Sequence, residues 1–167
     1  MSITIIYGCM FAGKTTKLLR YIKKSSNFIV FKPSIDTRSS NCIKSHNGKT
    51  YPAINFSTID ELYSQINDVK NIFIDEGQFV ENLINFCLDV RLMDKNVYVA
   101  GLNYTFDKKP FGDILKLVEI ADTRVSLFAK CQCGKPASFT ARTSKDTKKI
   151  IIGSDIYLPV CSKCFTS

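Results

Sequence analysis

No stretch of this 167-residue chain is apolar for long enough to cross a bilayer, and no signal-peptide pattern opens it: Met1-Ser2 leads straight into a short apolar segment. These absences predict a cytoplasmic protein, neither secreted nor held in a membrane. Histidine is nearly missing. The single one, His46, lies between Asn41 and Pro52, a stretch that reads as a flexible loop, and it is given no role. Seven cysteines, an odd count in a chain without a secretion signal, argue against a disulfide framework. Nor is the positive charge gathered into a tail. The net charge is +8, yet Lys23, Lys24, Lys108, Lys109, Lys145, Lys148 and Lys149 are spread along the chain. That spread favours a solvated basic surface over a nucleic-acid groove.

What is present begins with Gly8-Cys-Met-Phe-Ala-Gly-Lys-Thr15, which reads G-x-x-x-x-G-K-T. The β-branched run Ile3 to Tyr7 before it predicts a buried strand, and Thr16 to Ile22 after it predicts a helix. Strand, glycine loop and helix are the setting in which backbone N–H groups and a helix N-terminus hold phosphate oxygens. Lys14 is expected at the β- and γ-phosphates of a nucleotide, and Thr15 on Mg²⁺.

Strand and helix signals then alternate. Asn27 to Lys32 predicts a second strand, and the polar turn after it carries Asp36 and Arg38, which either face the phosphates or sit on a solvated loop. Thr58-Ile-Asp-Glu61 is a capping box that opens a helix reaching about Asn67. Asn71 to Glu76 is an apolar strand ending in two acids, expected beside the phosphate-loop strand. Asp75 is expected on the Mg²⁺ side. Glu76, one residue on, points away from the metal, where a carboxylate can take a proton from an attacking hydroxyl or water. Val80 to Lys95 predicts a helix whose apolar face is Leu83, Phe86, Cys87, Val90 and Leu92. Asn96 to Leu102 predicts a strand. The following loop interleaves Tyr104, Phe106 and Phe111 with Lys108, Lys109 and Pro110, which suits stacking on a base or satellite core packing equally. A helix over 113–120 and a strand over 123–129 complete an α/β fold with a parallel sheet and helices on both faces.

The pattern changes after residue 129. Cys131-x-Cys133 and Cys161-x-x-Cys164 flank a segment that predicts a strand over 137–142, a polar tip over 145–148 and a return strand over 149–153. Two cysteine pairs around a hairpin are the signature of a zinc ribbon. The chain therefore divides into a nucleotide-binding domain over 1–129 and a zinc-binding module over 130–167. The first pair is tighter than the usual C-x-x-C, which leaves open whether Cys131 and Cys133 both ligate.

In order, the phosphate loop, Lys32-Pro-x-x-Asp36-x-Arg38, Asp75-Glu-Gly-Gln-Phe79, Thr105-Phe106-x-x-Lys-Pro-Phe111 and the cysteine hairpin resemble the type II thymidine kinases. The resemblance implies a RecA-like P-loop fold and transfer of the ATP γ-phosphoryl to the 5′-OH of thymidine or deoxyuridine, giving dTMP for DNA precursor salvage. It implies Glu76 as general base. It places Gly8, Cys9, Met10, Phe11, Ala12, Gly13, Lys14, Thr15, Asp36, Arg38, Asp75 and Gln78 around ATP, with Thr15 and Asp75 serving Mg²⁺. Met10, Phe79, Leu102, Phe106, Phe111, Thr140, Ile150, Ile152, Gly153 and Tyr157 are implied around the nucleoside, the stretch 148–154 forming a lasso over the base. Cys131, Cys133, Cys161 and Cys164 are implied on a structural Zn²⁺. A homotetramer and feedback inhibition by dTTP are implied as well, with no nucleic acid or membrane partner.

Three positions depart from the family: Cys9 stands where proline is usual, Ile152-Gly-Ser154 where two adjacent glycines are frequent, and the first cysteine pair is C-x-C. A different class also suits a P-loop, an acidic strand end and a basic zinc ribbon, namely an ATPase stimulated by nucleic acid. Salt-dependent binding and DNA- or RNA-stimulated hydrolysis would mark it.

Overall fold

The computed structural model describes residues 1–143, 148, 150–153 and 155–165. A six-stranded sheet forms its centre. In chain order the elements are β1 (Ser2–Gly8), α1 (Lys14–Ile22), β2 (Phe28–Pro33), β3 (Cys42–Lys44), β4 (Thr50–Pro52), β5 (Ile54–Phe56), α2 (Ile59–Tyr63) and β6 (Asn71–Ile74). A single 3₁₀ turn, Gly77–Phe79, follows, then α3 (Leu83–Leu92), β7 (Asn96–Leu102), α4 (Ile114–Ile120) and β8 (Thr123–Leu127). The remainder is β9 (Ala129–Lys130), β10 (Pro136–Ala137), β11 (Phe139–Arg142), β12 (Tyr157–Val160) and α5 (Ser162–Phe165).

The main sheet runs β5-β2-β6-β7-β1-β8 with every pairing parallel. Its strands are apolar on both faces because both faces are covered. Ile3, Ile5, Ile72, Ile74, Val97 and Val99 point to one side, against Leu62, Phe86, Val90, Ile114 and Leu117. Ile6, Phe73 and Ala100 point to the other, against Leu18, Leu19 and Ile22 of α1. The alternation of strand side chains and the 3.6-residue period of the helices give the same two layers. No helix among the described residues is long and apolar enough to cross a membrane.

Several elements differ from what the sequence suggests. The acidic strand β6 does not lie beside β1, because β7 is inserted between them. The strand pairs Asn96 to Gly8's neighbour Leu102 along the whole of β1, a longer match than the four residues of β6 offer. The stretch Asn41–Pro52 is not a plain loop but the hairpin β3–β4, with Gly48 at φ +82° in its turn. Ile43 of that hairpin is buried on the α1 layer. The predicted helix over 80–95 is shorter, and Leu92 is 85% exposed. Leu83, Phe86, Cys87 and Val90 already complete the buried stripe, and Leu92 falls on the opposite side of the helix. The return strand of the cysteine hairpin is β12, not 149–153. Thr140 pairs Pro159 and Arg142 pairs Tyr157, while Ile150 to Gly153 have no strand geometry. The polar tip at 145–148 falls outside the described residues except for Lys148, as does Lys149 of the expected strand.

Candidate active site

The phosphate loop leaves the C-terminal end of β1 between β7 and β8. Gly8 has no room for a side chain, since a Cβ there would stand 2.2 Å from the Leu127 carbonyl oxygen. Gly13 turns the chain into α1 at φ +85°, a left-handed conformation that costs other residues energy. Lys14 donates from Nζ to the Cys9 carbonyl at 2.7 Å, across the loop's own mouth. Burial pushes its ammonium below the ordinary lysine range, and the charges of Glu76, Cys9 and Asp75 only partly restore it. The Thr15 hydroxyl donates to Asp75 Oδ2 at 2.9 Å. Asp75 reaches it from β6 across the inserted strand, because both strands end at the same rim of the sheet.

Asp75 and Glu76 share a backbone step but not an environment. Asp75 is 5% exposed, and burial followed by the neighbouring Glu76 charge drives its carboxyl up to about 7. Glu76 has a left-handed backbone, φ 53°, which is uncommon for a residue with a side chain and concentrates at functional positions. Both of its oxygens accept hydrogen bonds: Oε1 from Arg38 Nη2 at 2.5 Å, Oε2 from Gln78 Nε2 at 2.6 Å. Gln78 in turn accepts from the Leu102 amide at 3.0 Å. Arg38 is itself gripped by Asp36, with Nε on Oδ1 at 2.6 Å and Nη2 on Oδ2 at 3.0 Å. Burial would raise the Asp36 carboxyl, but the Arg38 hydrogen bonds and the Arg38 and Lys32 charges outweigh it and hold Asp36 below the usual carboxylate range. Burial would lower Arg38, and Glu76 and Asp36 together outweigh that and hold it above its usual range.

Two cavities meet at Glu76. The larger, about 1460 Å³, is polar and lined by Lys14, Thr15, Asp36, Arg38, Asp75 and Glu76, with Phe11 and Gly13 of the loop. The smaller, about 500 Å³, is lined by Phe79, Leu102, Phe106, Phe111, Thr140 and Tyr157, and by Ile150, Ile152 and Gly153. Met10, Arg38, Glu76, Leu102 and Gly153 line both. Gln78, expected among the phosphate groups, instead lines the smaller cavity. Gly8 and Ala12 line neither cavity, and Cys9 is buried, its thiol donating to the Ala137 carbonyl at 3.2 Å. In the smaller cavity Phe79 and Phe111 meet edge to face at 5.3 Å. Phe106 lies under the Arg142 guanidinium, 3.6 Å from the ring centre, and Arg142 Nη2 also donates to the Tyr157 hydroxyl at 3.0 Å. Tyr157 passes its own hydroxyl proton to the Ile151 carbonyl at 3.0 Å, which fixes the chain beside the cavity.

The sequence reading missed residues that the hairpin brings in. Lys44, Ser45 and His46 line the polar cavity, and His46 meets the Phe11 ring edge-on at 4.9 Å. Part of the signal was there: Asn47-Gly48 is a hairpin-turn pair, with Ile43 and Tyr51 on its two sides.

The four sulfur atoms of Cys131, Cys133, Cys161 and Cys164 lie within 4.8 Å of one another. Thiolates on tetrahedral zinc sit roughly 3.8 Å apart, given Zn–S distances of about 2.3 Å. Cys133 and Cys161 are 3.6 Å apart and Cys131 belongs to the same cluster, so the tight C-x-C pair brings both of its thiols to it. Backbone N–H groups at Cys133 and Cys161 hold Cys131 down to about 6, which favours the thiolate that zinc needs. The donor set fits Zn²⁺. Likewise Thr15 and Asp75 bring two hard oxygen donors within 2.9 Å of each other at the phosphate loop, a donor set that would suit Mg²⁺.

Known proteins place this arrangement. The thymidine kinase family model matches residues 1–165. A thymidine kinase of myxoma virus (strain Lausanne) is 38% identical over 98% of this chain and 95% of its own length. The vaccinia virus (strain Ankara) and variola virus thymidine kinases are each 36% identical over 98% of this chain and 96% of theirs. Among solved structures, the Legionella pneumophila ATPase DotB is similar at a TM-score of 0.44 and 13% identity, covering 81% of this chain and 43% of that one, a distance at which the likeness bears on neither activity nor partner. With a phosphate loop, an acidic strand end and an apolar cavity meeting at Glu76, and relatives matched almost end to end, the chain belongs to the thymidine kinase family of ATP-dependent phosphotransferases.

Proposed function

We propose that phosphoryl transfer occurs at Glu76, with ATP in the polar cavity and the nucleoside in the apolar one. The carrying observation is that Glu76 lines both cavities while Asp75 lines only the polar one. In this reading the 5′-OH of thymidine, or of deoxyuridine, points out of the apolar cavity toward the γ-phosphorus. Glu76 takes the hydroxyl proton as the new P–O bond forms and the bond to the ADP oxygen breaks. Lys14 leaves the Cys9 carbonyl for the β- and γ-phosphate oxygens, and the loop amides and Arg38 share the remaining charge. Thr15 and Asp75 would hold Mg²⁺, which would supply charge neutralisation for the phosphates. The walls of the apolar cavity hold the base by its faces, with Phe106 and Tyr157 as the aromatic surfaces and Ile150 to Gly153 in the covering segment. Excluding water there favours transfer to the nucleoside over hydrolysis.

Residues 130–167 act in this scheme as a zinc-stapled module that carries the covering segment. A homotetramer, feedback inhibition by dTTP and a cytoplasmic location are inferences from the family resemblance; clustered free thiols accord with a reducing compartment.

The test is transfer of labelled γ-phosphate from ATP·Mg²⁺ to a panel of nucleosides, with bare ATP hydrolysis and added DNA alongside. Label on thymidine and deoxyuridine, and none on cytidine or purine nucleosides, supports the assignment. Label released only as phosphate, and faster with DNA, overturns it.

A further inference from the structure

Lys32 is fully buried, 1% exposed, at the end of β2, a few residues upstream of the phosphate-side pair. Its ammonium donates to the Ser39 carbonyl, to the Ser39 hydroxyl at 2.9 Å, and stands 3.5 Å from Asp36 Oδ2. Filling space does not call for a charge here. Methionine has a similar length and flexibility, and taking an ammonium out of water is costly unless its partners offset it. The partners are what matter. Ser39 passes its own hydroxyl proton to the Cys42 carbonyl at 2.7 Å, so the ammonium ties β2 to the start of the hairpin. Asp36 Oδ2 faces Lys32 on one side and Arg38 Nη2 on the other. That same Nη2 reaches Glu76.

The result is a chain of alternating charge, Lys32, Asp36, Arg38, Glu76, that begins at a fully buried ammonium and ends at the carboxylate between the two cavities. Exposure is 1% and 6% for the first two side chains, 36% for Arg38 and 13% for Glu76. Arg38 is thus the most exposed member, and the buried Asp36 is its mount. Without Lys32, Asp36 keeps Arg38 as its only cationic partner, and the loop over 34–40 loses its internal anchor. A carboxylate free to turn then carries Arg38 out of line with Glu76.

We propose that Lys32 is a positioning residue for phosphoryl transfer, acting through Asp36 to hold Arg38 against Glu76. The inference rests on the reading of Glu76 as the base. It differs from a purely structural role in one respect: its effect on turnover should pass through Arg38.

The experiment is a double-mutant cycle in the full chain with its metals, using K32M, R38A and the double variant, reading kcat, KM for each substrate and thermal unfolding. The expected result is a roughly 10- to 100-fold fall in kcat for K32M, the scale of a misplaced catalytic group. KM for thymidine should stay within about twofold of wild type, because Lys32 lines neither cavity and the aromatic walls of the apolar one, Phe79, Phe106, Phe111 and Tyr157, are untouched. In the R38A background, K32M should change kcat by no more than about twofold. An equal kcat loss in both backgrounds overturns the proposal, as does a kcat loss matched by a collapse in melting temperature. K32Q is the second variant if K32M does not fold, and failure of both to fold assigns Lys32 to folding instead and overturns it too. Wild-type enzyme that transfers no phosphate to thymidine defeats the underlying site reading; active wild type with an additive cycle defeats only the role of Lys32.

Discussion

The Met10 backbone N–H donates to the Thr140 hydroxyl at 3.0 Å, across 130 residues of sequence. One partner belongs to the phosphate loop and the other to the strand β11 of the cysteine hairpin. Thr140 is buried and Met10 lines both cavities, so this bond holds the wall of the nucleoside cavity to the phosphate loop. Replacing Thr140 with valine keeps the shape and removes the acceptor, leaving a part-buried N–H unpaired at a cost of about 1–3 kcal/mol. T140V should lower the melting temperature by several degrees and raise KM for thymidine and for ATP together. A rise in one KM alone would count against the bond as the link between cavities.

Turnover should depend on the Glu76 carboxylate far more than binding does. Glu76→Gln keeps the shape and removes the proton acceptor, at the expense of one of the two hydrogen bonds Glu76 accepts from Arg38 and Gln78, so kcat should fall by about 10²–10⁴-fold. The dissociation constant for ATP, read by titration calorimetry, should move by less than about threefold, because the phosphate loop is intact. Comparable losses in both would remove Glu76 from the role of base.

At the nucleoside wall, Arg142 acts through Phe106 and Tyr157. A planar guanidinium stacks on a ring as an ammonium cannot, so R142K is not a conservative change here. Both R142A and R142K should raise KM for thymidine roughly tenfold while KM for ATP stays near wild type, in line with about 1–2 kcal/mol for a desolvated cation–π contact. Full recovery in R142K would show that only the charge matters.

Zinc should be stoichiometric. Elemental analysis of the purified protein should give one zinc per chain, and C133S, which removes one of four thiols, should lose most of it. Chelation should destabilise more than the cysteine hairpin. Phe165 follows Cys164 directly and packs on Phe139 at 5.8 Å, and Phe139 packs on Tyr104 at 5.5 Å in the loop beside the nucleoside cavity. Thermal unfolding and thymidine protection against protease should therefore both weaken on metal removal. Loss of zinc with unchanged melting would contradict this coupling.

Asp36 offers a pH test. Its folded-state carboxyl lies below the ordinary range, so the stability it contributes is complete above the unfolded value of about 3.9 and is lost as pH falls through the lower folded value. The melting-temperature gap between wild type and D36N should shrink as pH falls below about 4. A gap that widens toward acid would reverse the sign of the shift.

Local chemistry was legible where the residues that act are close in sequence. The phosphate loop, the acidic strand end and the cysteine spacings each carry their meaning in a short window, and strand β7 was read at its observed bounds. What escaped depends on pairing over distance. The place of β7 between β1 and β6 is set by register, which no local pattern records. The choice of Tyr157–Val160 over 149–153 as the partner of β11 turns on which segment can reach it once Ile150 to Gly153 line the cavity. The Lys-Pro-x-x-Asp-x-Arg run was visible, but nothing in it says that its lysine is the buried end of a charge chain while its arginine is half exposed. The family resemblance implies Gln78 around ATP, and the 3₁₀ turn after Glu76 carries it to the other cavity.

Thr140, Ile150 to Gly153 and Tyr157 line the smaller cavity together with Phe79, Leu102, Phe106 and Phe111 from the sheet portion of the chain, and the thiol cluster of the same hairpin is complete only with Cys164. During synthesis the phosphate loop leaves the ribosome well before these hairpin residues. On the proposed assignment, a growing chain can hold a phosphate donor before it can close around the acceptor, so discrimination among nucleosides arises later in synthesis than the capacity to bind phosphate.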